Sequence, residues 1–404
     1  MKKNILYLFF IQATNYLFPL ITLPYLIRVL GSESFGIYAI VLAIIQYINI
    51  IVDFGFNFTS TRLISINSNN KDKINIIYSA TMILKIIIFM ICLVGIFCYF
   101  LFAREMKYLN YIIIGLVGVV GNILLPVWLF QGIGRMDKIA LCSTCAKFIS
   151  LITVFATVKS ENDIAFAIAS YSIGLLLSGI ISIYIIFCNK YVKLVKVETD
   201  FIVGLCKNSF DMFISNITIS LYTTFNTILA GIMGGPTIAG YFSAADKLRM
   251  AVQGLLSPLQ QAIFPKVSQL VHDDYSLDSI LKSYGFKMMF FGLFLSIGTA
   301  LIGVPFSRIY FGSSNDVSSN ILLILSPLPF IVAVGVVFGQ WWLIAKNLTK
   351  IIRAIYLSAS FIHIAIAYSL MYFIPGYGVA ISVVITELSI SILLVLFALK
   401  HKIV

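Results

Sequence analysis

The run GYFSAADKLRMAVQGLLSPLQQ, residues 240–261, decides how this chain is read. Apolar sequence flanks it on both sides, so it belongs to a membrane-crossing helix. Within it Asp246, Arg249, Gln253, Ser257 and Gln260 recur at steps of three, four, four and three. That spacing puts all five on one helical face. A polar stripe at membrane depth is costly unless it faces protein or water. It must line something.

The composition agrees. Of 404 residues, 60% are hydrophobic and 11% charged, and the mean hydropathy is +1.01. A soluble fold cannot hide that much apolar side chain, so the bulk of the chain is dissolved in lipid. Apolar runs of about twenty residues give twelve predicted spans: 5–30, 35–62, 76–102, 109–131, 138–158, 164–187, 210–233, 238–266, 284–306, 320–345, 351–373 and 379–399. The first lacks a small-residue cleavage site, so it reads as a helix and not a removable signal. Pro19 and Pro24 in the first span and Pro258 and Pro265 in the eighth predict kinks.

The net charge of +12 would suggest nucleic acid in a soluble protein; here its distribution points to the membrane. With the amino terminus placed inside, eighteen Lys and Arg fall in cytoplasmic segments (from Lys2 and Lys3 through Arg62, Arg135 and Lys266 to Lys402). Five, Arg28, Arg104, Lys107, Lys159 and Arg308, fall on the other side. That positive-inside bias predicts cytoplasmic termini at both ends. Cys142 and Cys145 form a C-x-x-C inside a span with no metal-ligand partners nearby, so they read as packing residues. The N-x-[ST] triplets at Asn57, Asn216 and Asn347 fall in membrane or cytoplasmic positions. No nucleotide loop, metal motif or nucleophile–base pattern is present; no enzymatic chemistry, cofactor or nucleic-acid partner is expected.

The chain repeats itself. GSESFGIY (31–38) and GGPTIAGY (234–241) share glycine and tyrosine seven apart, at an offset of 203. Span 2 carries Gln46, Asn49, Asp53, Asn57 and Ser60, the opening stripe at an offset of 200. Thinner stripes run through Gln12, Asn15 and Thr22 in span 1, and Asn208, Asp211, Ser215, Thr218 and Tyr222 in span 7. The expected architecture is an all-α polytopic membrane protein of about twelve transmembrane helices. Residues 1–190 form one six-helix bundle, 191–209 a cytoplasmic linker and 210–404 a second bundle. Parallel repeats of this kind are related by a pseudo-two-fold along the membrane normal, with a central polar cavity between them. The competing reading of each stripe is interhelical hydrogen bonding.

Several charges sit within spans: Lys85, Lys147, Lys247 and Arg249 against Asp53, Asp246 and Glu387. Each costs about 3 kcal/mol at mid-bilayer on insertion scales, which calls for pairing or water. Asp246 and Arg249, three apart, can neutralise each other. Lys85 and Lys147 either pair with Asp53 or Glu387 or supply a cationic lining. His363, in span 11, reads as a packing hydrogen-bond group.

The motifs resemble a known family. Asn15-Tyr16, Leu23 through Gly31 (LPYLIRVLG), Phe35-Gly36-Ile37-Tyr38, and Gly55 with Arg62 resemble the amino-terminal pattern of bacterial polysaccharide repeat-unit (O-antigen) flippases. These belong to the multidrug/oligosaccharidyl-lipid/polysaccharide exporter superfamily. Gly240 to Leu248 and Phe264-Pro265-Lys266-Val267-Ser268 resemble the family's eighth helix, and Tyr310-Phe311-Gly312 also fits. The resemblance implies translocation of an undecaprenyl-pyrophosphate-linked oligosaccharide across the bacterial inner membrane by alternating access. It also implies membrane lipid, a polysaccharide polymerase and a chain-length regulator as partners. By carry-over, Arg249 and Lys247, with Lys85 and Lys147, would meet the phosphates. Gln46, Asn49, Asn57, Gln253, Gln260, Asn15 and Tyr222 would line the cavity. Asp53, Asp246 and Glu387 are the candidate acids for coupling to a proton, a cation gradient or the membrane potential. The alternative within the superfamily is an ion-coupled exporter of small drugs.

Overall fold

Left-handed glycines and short breaks, more than prolines, decide where the helices of this chain bend. The computed structural model describes residues 2–103, 108–273, 275–312, 316–346 and 348–400. The side chains of Lys2, Lys3 and Gln12, and residues Arg104, Lys107, Asn347 and Lys402, lie outside the described residues. Among the described residues there is no strand. Among the described residues ten helical runs are long and apolar enough to cross a membrane, against the twelve spans expected, and two of these runs, of 54 and 55 residues, are each long enough to hold two spans.

The chain divides into two compact units, one up to Ser220 and one from Leu221 onward. The first contains α1 (Lys2–Asp53), α2 (Phe56–Ile66), α3 (Lys71–Ala103), α4 (Leu109–Leu124), α5 (Val127–Gly132), α6 (Met136–Thr157), α7 (Ile164–Cys188) and nearly all of α8 (Thr199–Leu221). At Gly31, φ 72° and ψ 175° interrupt α1, a conformation that a Cβ disfavours. Helical backbone runs through Pro19 and Pro24, so the expected break in this helix falls at glycine. The second break is Phe54-Gly55, at φ 43° and 79°. A Cβ on Gly55 would lie 2.7 Å from Met212 Cβ and 2.9 Å from the Ser209 carbonyl, so α8 packs directly onto this break. Phe54 stacks on Phe213 at 4.2 Å, and Thr59 and Ser209 share a hydroxyl bond of 2.7 Å.

That packing explains why α8 belongs to the first unit and not, as the sequence boundary at 209/210 has it, largely to the second. The preceding segment is also tied down. The Lys193 amide donates to Asn75 Oδ1 at 2.8 Å and the Val195 amide to Ser79 Oγ at 3.0 Å. The stretch expected as a linker over 191–209 is thus a short strap along α3 followed by about three turns of helix.

The second unit comprises α9 (Phe225–Gln253), α10 (Leu256–His272), α11 (Leu277–Ile280), α12 (Phe286–Gly298), α13 (Val304–Phe311), α14 (Asp316–Leu325), α15 (Leu328–Gly335), α16 (Thr349–Phe373) and α17 (Gly378–Lys400). Wider π-helical turns occupy Leu281–Gly285, Thr299–Gly303 and Val336–Ile344. Its core gathers Trp341, Trp342, Leu343, Val267, Leu277 and Leu394. Here the hinge glycine is Gly235, at φ 85° and ψ 173°, one residue after the Gly234 matched by sequence. Pro236 follows it, where the new helix has no amide bond to lose. Pro258 lies in the first turn of α10, and the break is just before it, at Gly254-Leu255.

Candidate functional site

In the first unit the span-2 stripe surrounds the break at Phe54-Gly55. Asp53 ends α1, where its carboxylate takes Lys85 Nζ at 2.5 Å and Asn57 Nδ2 at 3.1 Å. Lys85 is 1% exposed, whereas the Asp53 side chain is 23% exposed. Lys85 therefore links α3 to the stripe and presents little charge to a ligand. One turn before Asp53, Asn49 accepts from Asn122 Nδ2 of α4 at 3.0 Å, and beyond the break buried Ser60 meets Thr81 Oγ1 at 2.9 Å. Gln46 is exposed. Asn49, Asp53, Asn57 and Ser60 thus all bond to neighbouring side chains, and Asn49, Asp53 and Asn57 are partly exposed while Ser60 is buried.

Lys147 is different. Its ammonium donates to Thr14 Oγ1 at 3.2 Å and to Asn15 Oδ1, both oxygens of α1 and both neutral. These bonds orient the cation and leave its charge uncancelled. Further along the same unit, Asn57, Thr61, Arg62, Ser65 and Gln131 line a depression of about 500 Å³ with Phe58 and Val127.

In the second unit the stripe neutralises itself along one helix. Arg249 Nε and Nη2 each lie 2.7 Å from Asp246 Oδ1, and Nη1 donates to Gln253 Oε1. Lys247, one residue off the stripe, is half-buried. Gln260 Nε2 donates to Gln340 Oε1. These two amides, with Tyr356, Glu387 and Ser391, line a cavity of about 210 Å³. Gln340 sits in the π-helical turn Val336–Ile344, a distortion frequent at functional sites. A lone Gln before Trp341-Trp342 in an apolar span is its signal in the sequence, and no polar residues at steps of three and four accompany it.

Tyr222 does not continue the span-7 stripe. Residues 222–224 break the helix between α8 and α9, so the helical phase is reset. Tyr222 is buried, lies parallel to Tyr356 at 6.3 Å and edge-on to His363 at 6.4 Å. Asn226 Nδ2 donates to the Tyr222 carbonyl at 2.8 Å, which turns Asn226 Oδ1 toward His363 Nε2 at 2.7 Å. Nε2 therefore donates to Asn226, and Nδ1 shares a hydrogen bond with Thr386 Oγ1 at 2.8 Å. Both ring nitrogens are bonded, a packing role. Among the described residues no His, Cys, Asp and Glu cluster could hold a metal ion, and all six cysteines are free thiols.

Residues 1–271 match the family described as "Polysaccharide biosynthesis protein". A Shigella dysenteriae protein named "Putative O-antigen transporter" is 37% identical over 99% of each chain. An Escherichia coli (strain K12) protein of the same name is 32% identical over 100% of this chain and 97% of its own. Among solved structures, an inward-facing multidrug resistance MATE family transporter of the MOP superfamily matches with TM-score 0.76 at 14% identity, covering 95% of this chain and 94% of that one. The lipid II flippase MurJ, in an inward closed conformation, matches with TM-score 0.75 at 14% identity over 99% and 88%. The chain therefore belongs to the polysaccharide biosynthesis protein family and has the MOP-superfamily fold.

Proposed function

We propose that this member of the polysaccharide biosynthesis protein family is a flippase that carries a lipid-linked oligosaccharide repeat unit from the cytoplasmic to the outer leaflet of the bacterial inner membrane. Both termini would then be cytoplasmic. Two relatives of nearly equal length named as O-antigen transporters support the substrate class. The observation that carries the reading is Lys147: a cation within an apolar span, aimed by neutral oxygens and not cancelled by a carboxylate among its bonds. A site of that kind suits a ligand that brings its own negative charge, such as the pyrophosphate of an undecaprenyl-linked sugar chain. Lys247 and Arg249 supply the second unit's cations, and Asn15, Gln46, Gln253 and Gln260 supply donors that replace lost hydration. The polyprenyl tail stays in lipid throughout.

Alternating access of two bundles would complete transfer. Outward movement of an anion also runs with an inside-negative potential, worth about 2.3 kcal/mol per charge per 100 mV. The test is flipping of the host's lipid-linked repeat unit by purified protein in liposomes, read as access of a glycosidase added outside. We expect flipping that Lys147→Ala reduces at least tenfold and that Lys147→Arg largely retains. Flipping that survives Lys147→Ala unchanged would remove the carrying observation, and insensitivity to the membrane potential would remove the electrical component.

A further inference from the structure

The cavity of about 210 Å³ in the second unit is the strongest unassigned feature. It holds about seven times the ~30 Å³ that a liquid water occupies, room for one sugar ring and not for a chain. Its lining joins apolar Val332, Val336 and Ile390 to polar Gln260, Gln340, Tyr356 and Glu387. Gln260 and Gln340 face each other amide to amide, which fixes their orientation and leaves further donor and acceptor capacity on both. Glu387 adds a carboxylate to the same lining, and the Arg249 guanidinium is already paired with Asp246.

The lining decides the ligand class. A phosphate would meet the Glu387 carboxylate, and a bare cation would leave the amide donors and the apolar residues unused. A neutral ligand with an apolar face and a rim of hydroxyls fits both the apolar residues and the polar groups, and an aromatic ring beside amides is suited to it. We propose that Gln260, Gln340, Tyr356 and Glu387 form a subsite for one sugar ring, so that this unit reads the carbohydrate while Lys147 in the other reads the phosphates. The inference rests on the flippase reading and adds to it the residues that set sugar specificity.

The experiment compares two probes in the same liposomes: the host's lipid-linked repeat unit, measured for flipping, and sugar-free undecaprenyl pyrophosphate, measured for binding. Gln340→Ala and Tyr356→Leu should each slow flipping of the repeat unit about tenfold, the discrimination expected when buried polar partners are left unpaired. Binding of the sugar-free lipid should stay within about twofold. Tyr356→Phe and Gln340→Asn, which keep the packing, should fall between, so a misfolded variant does not decide the matter. Equal loss on both probes, or no loss on either in folded protein, would overturn the sugar subsite. A wild-type protein that flips no repeat unit overturns the flippase reading and this inference with it.

Discussion

The two stripes carry polar residues at the same spacing and differ in where the neutralising charge comes from. In the first unit Asp53 is paired from another helix by Lys85, 32 residues away in the chain. In the second, Asp246 is paired by Arg249 three residues along. An interhelical pair at 1% exposure of the lysine fixes α3 to a helix break. An intrahelical pair fixes nothing beyond its own helix, so the charges of the second stripe are balanced within α9 alone. The breaks differ likewise. Gly55 is left-handed and pressed against α8, whereas Gly254 keeps φ −60° and ψ −19°. One unit is locked at its break, and the other is only bent there.

The largest expected effect breaks the lock. Lys85→Met leaves a carboxylate uncompensated and should cost about 3–5 kcal/mol of stability, the range for removing one partner of a buried pair. Thermal unfolding in detergent measures it. Adding Asp53→Asn should recover most of the loss, and a double-mutant cycle without coupling would sink the idea of a structural pair. Next, Gly55→Ala combines positive φ with a clash against Met212 and should destabilise by about 2 kcal/mol or more. Gly254→Ala, in helical backbone, should be neutral or stabilise by about 0.5–1 kcal/mol. Equal melting temperatures for the two alanine variants would erase the contrast between the breaks.

Arg249→Ala should cost less stability than Lys85→Met, about 1 kcal/mol, because the pair is local and partly exposed at 11% and 20%. Its effect on flipping should exceed its effect on melting. Last, outside both stripes, Asp163 accepts from the Lys159 and Ser160 amides at 2.8 Å each. Those bonds, backbone donors first, hold its carboxyl below the ordinary carboxylate value. Its contribution is therefore complete above the unfolded pKa and is lost as pH falls through the lower folded one. Asp163→Asn should slightly lower melting at pH 7, with the difference from wild type fading in acid. A difference that grew in acid would contradict the direction.

How much of this was legible beforehand varies residue by residue. The offset of 200 between the stripes is also the offset between the helix breaks: α1 ends at Asp53 and α9 at Gln253, and α2 starts at Phe56 and α10 at Leu256. The hinge glycines, Gly31 and Gly235, are 204 apart. The hinge-to-break helix is thus 22 residues in one unit and 18 in the other. The difference of four is about one α-helical turn, so a turn has been gained or lost while the polar face kept its direction. Two apparently inconsistent repeat offsets describe one conserved geometry.

Membrane residence and the repeated stripes were present in the sequence, because hydropathy and helical period are properties of consecutive residues. Pairings such as Lys85 with Asp53, Lys147 with Asn15, and Gln260 with Gln340 were decided by tertiary structure alone. They join residues 32, 132 and 80 positions apart, and no local period relates such distances. The same holds for α8: its sequence marks it as a helix, but only the close approach of its backbone to Gly55 assigns it to the first unit. Sequence determines what each helix must hide from lipid, and packing determines which neighbour hides it.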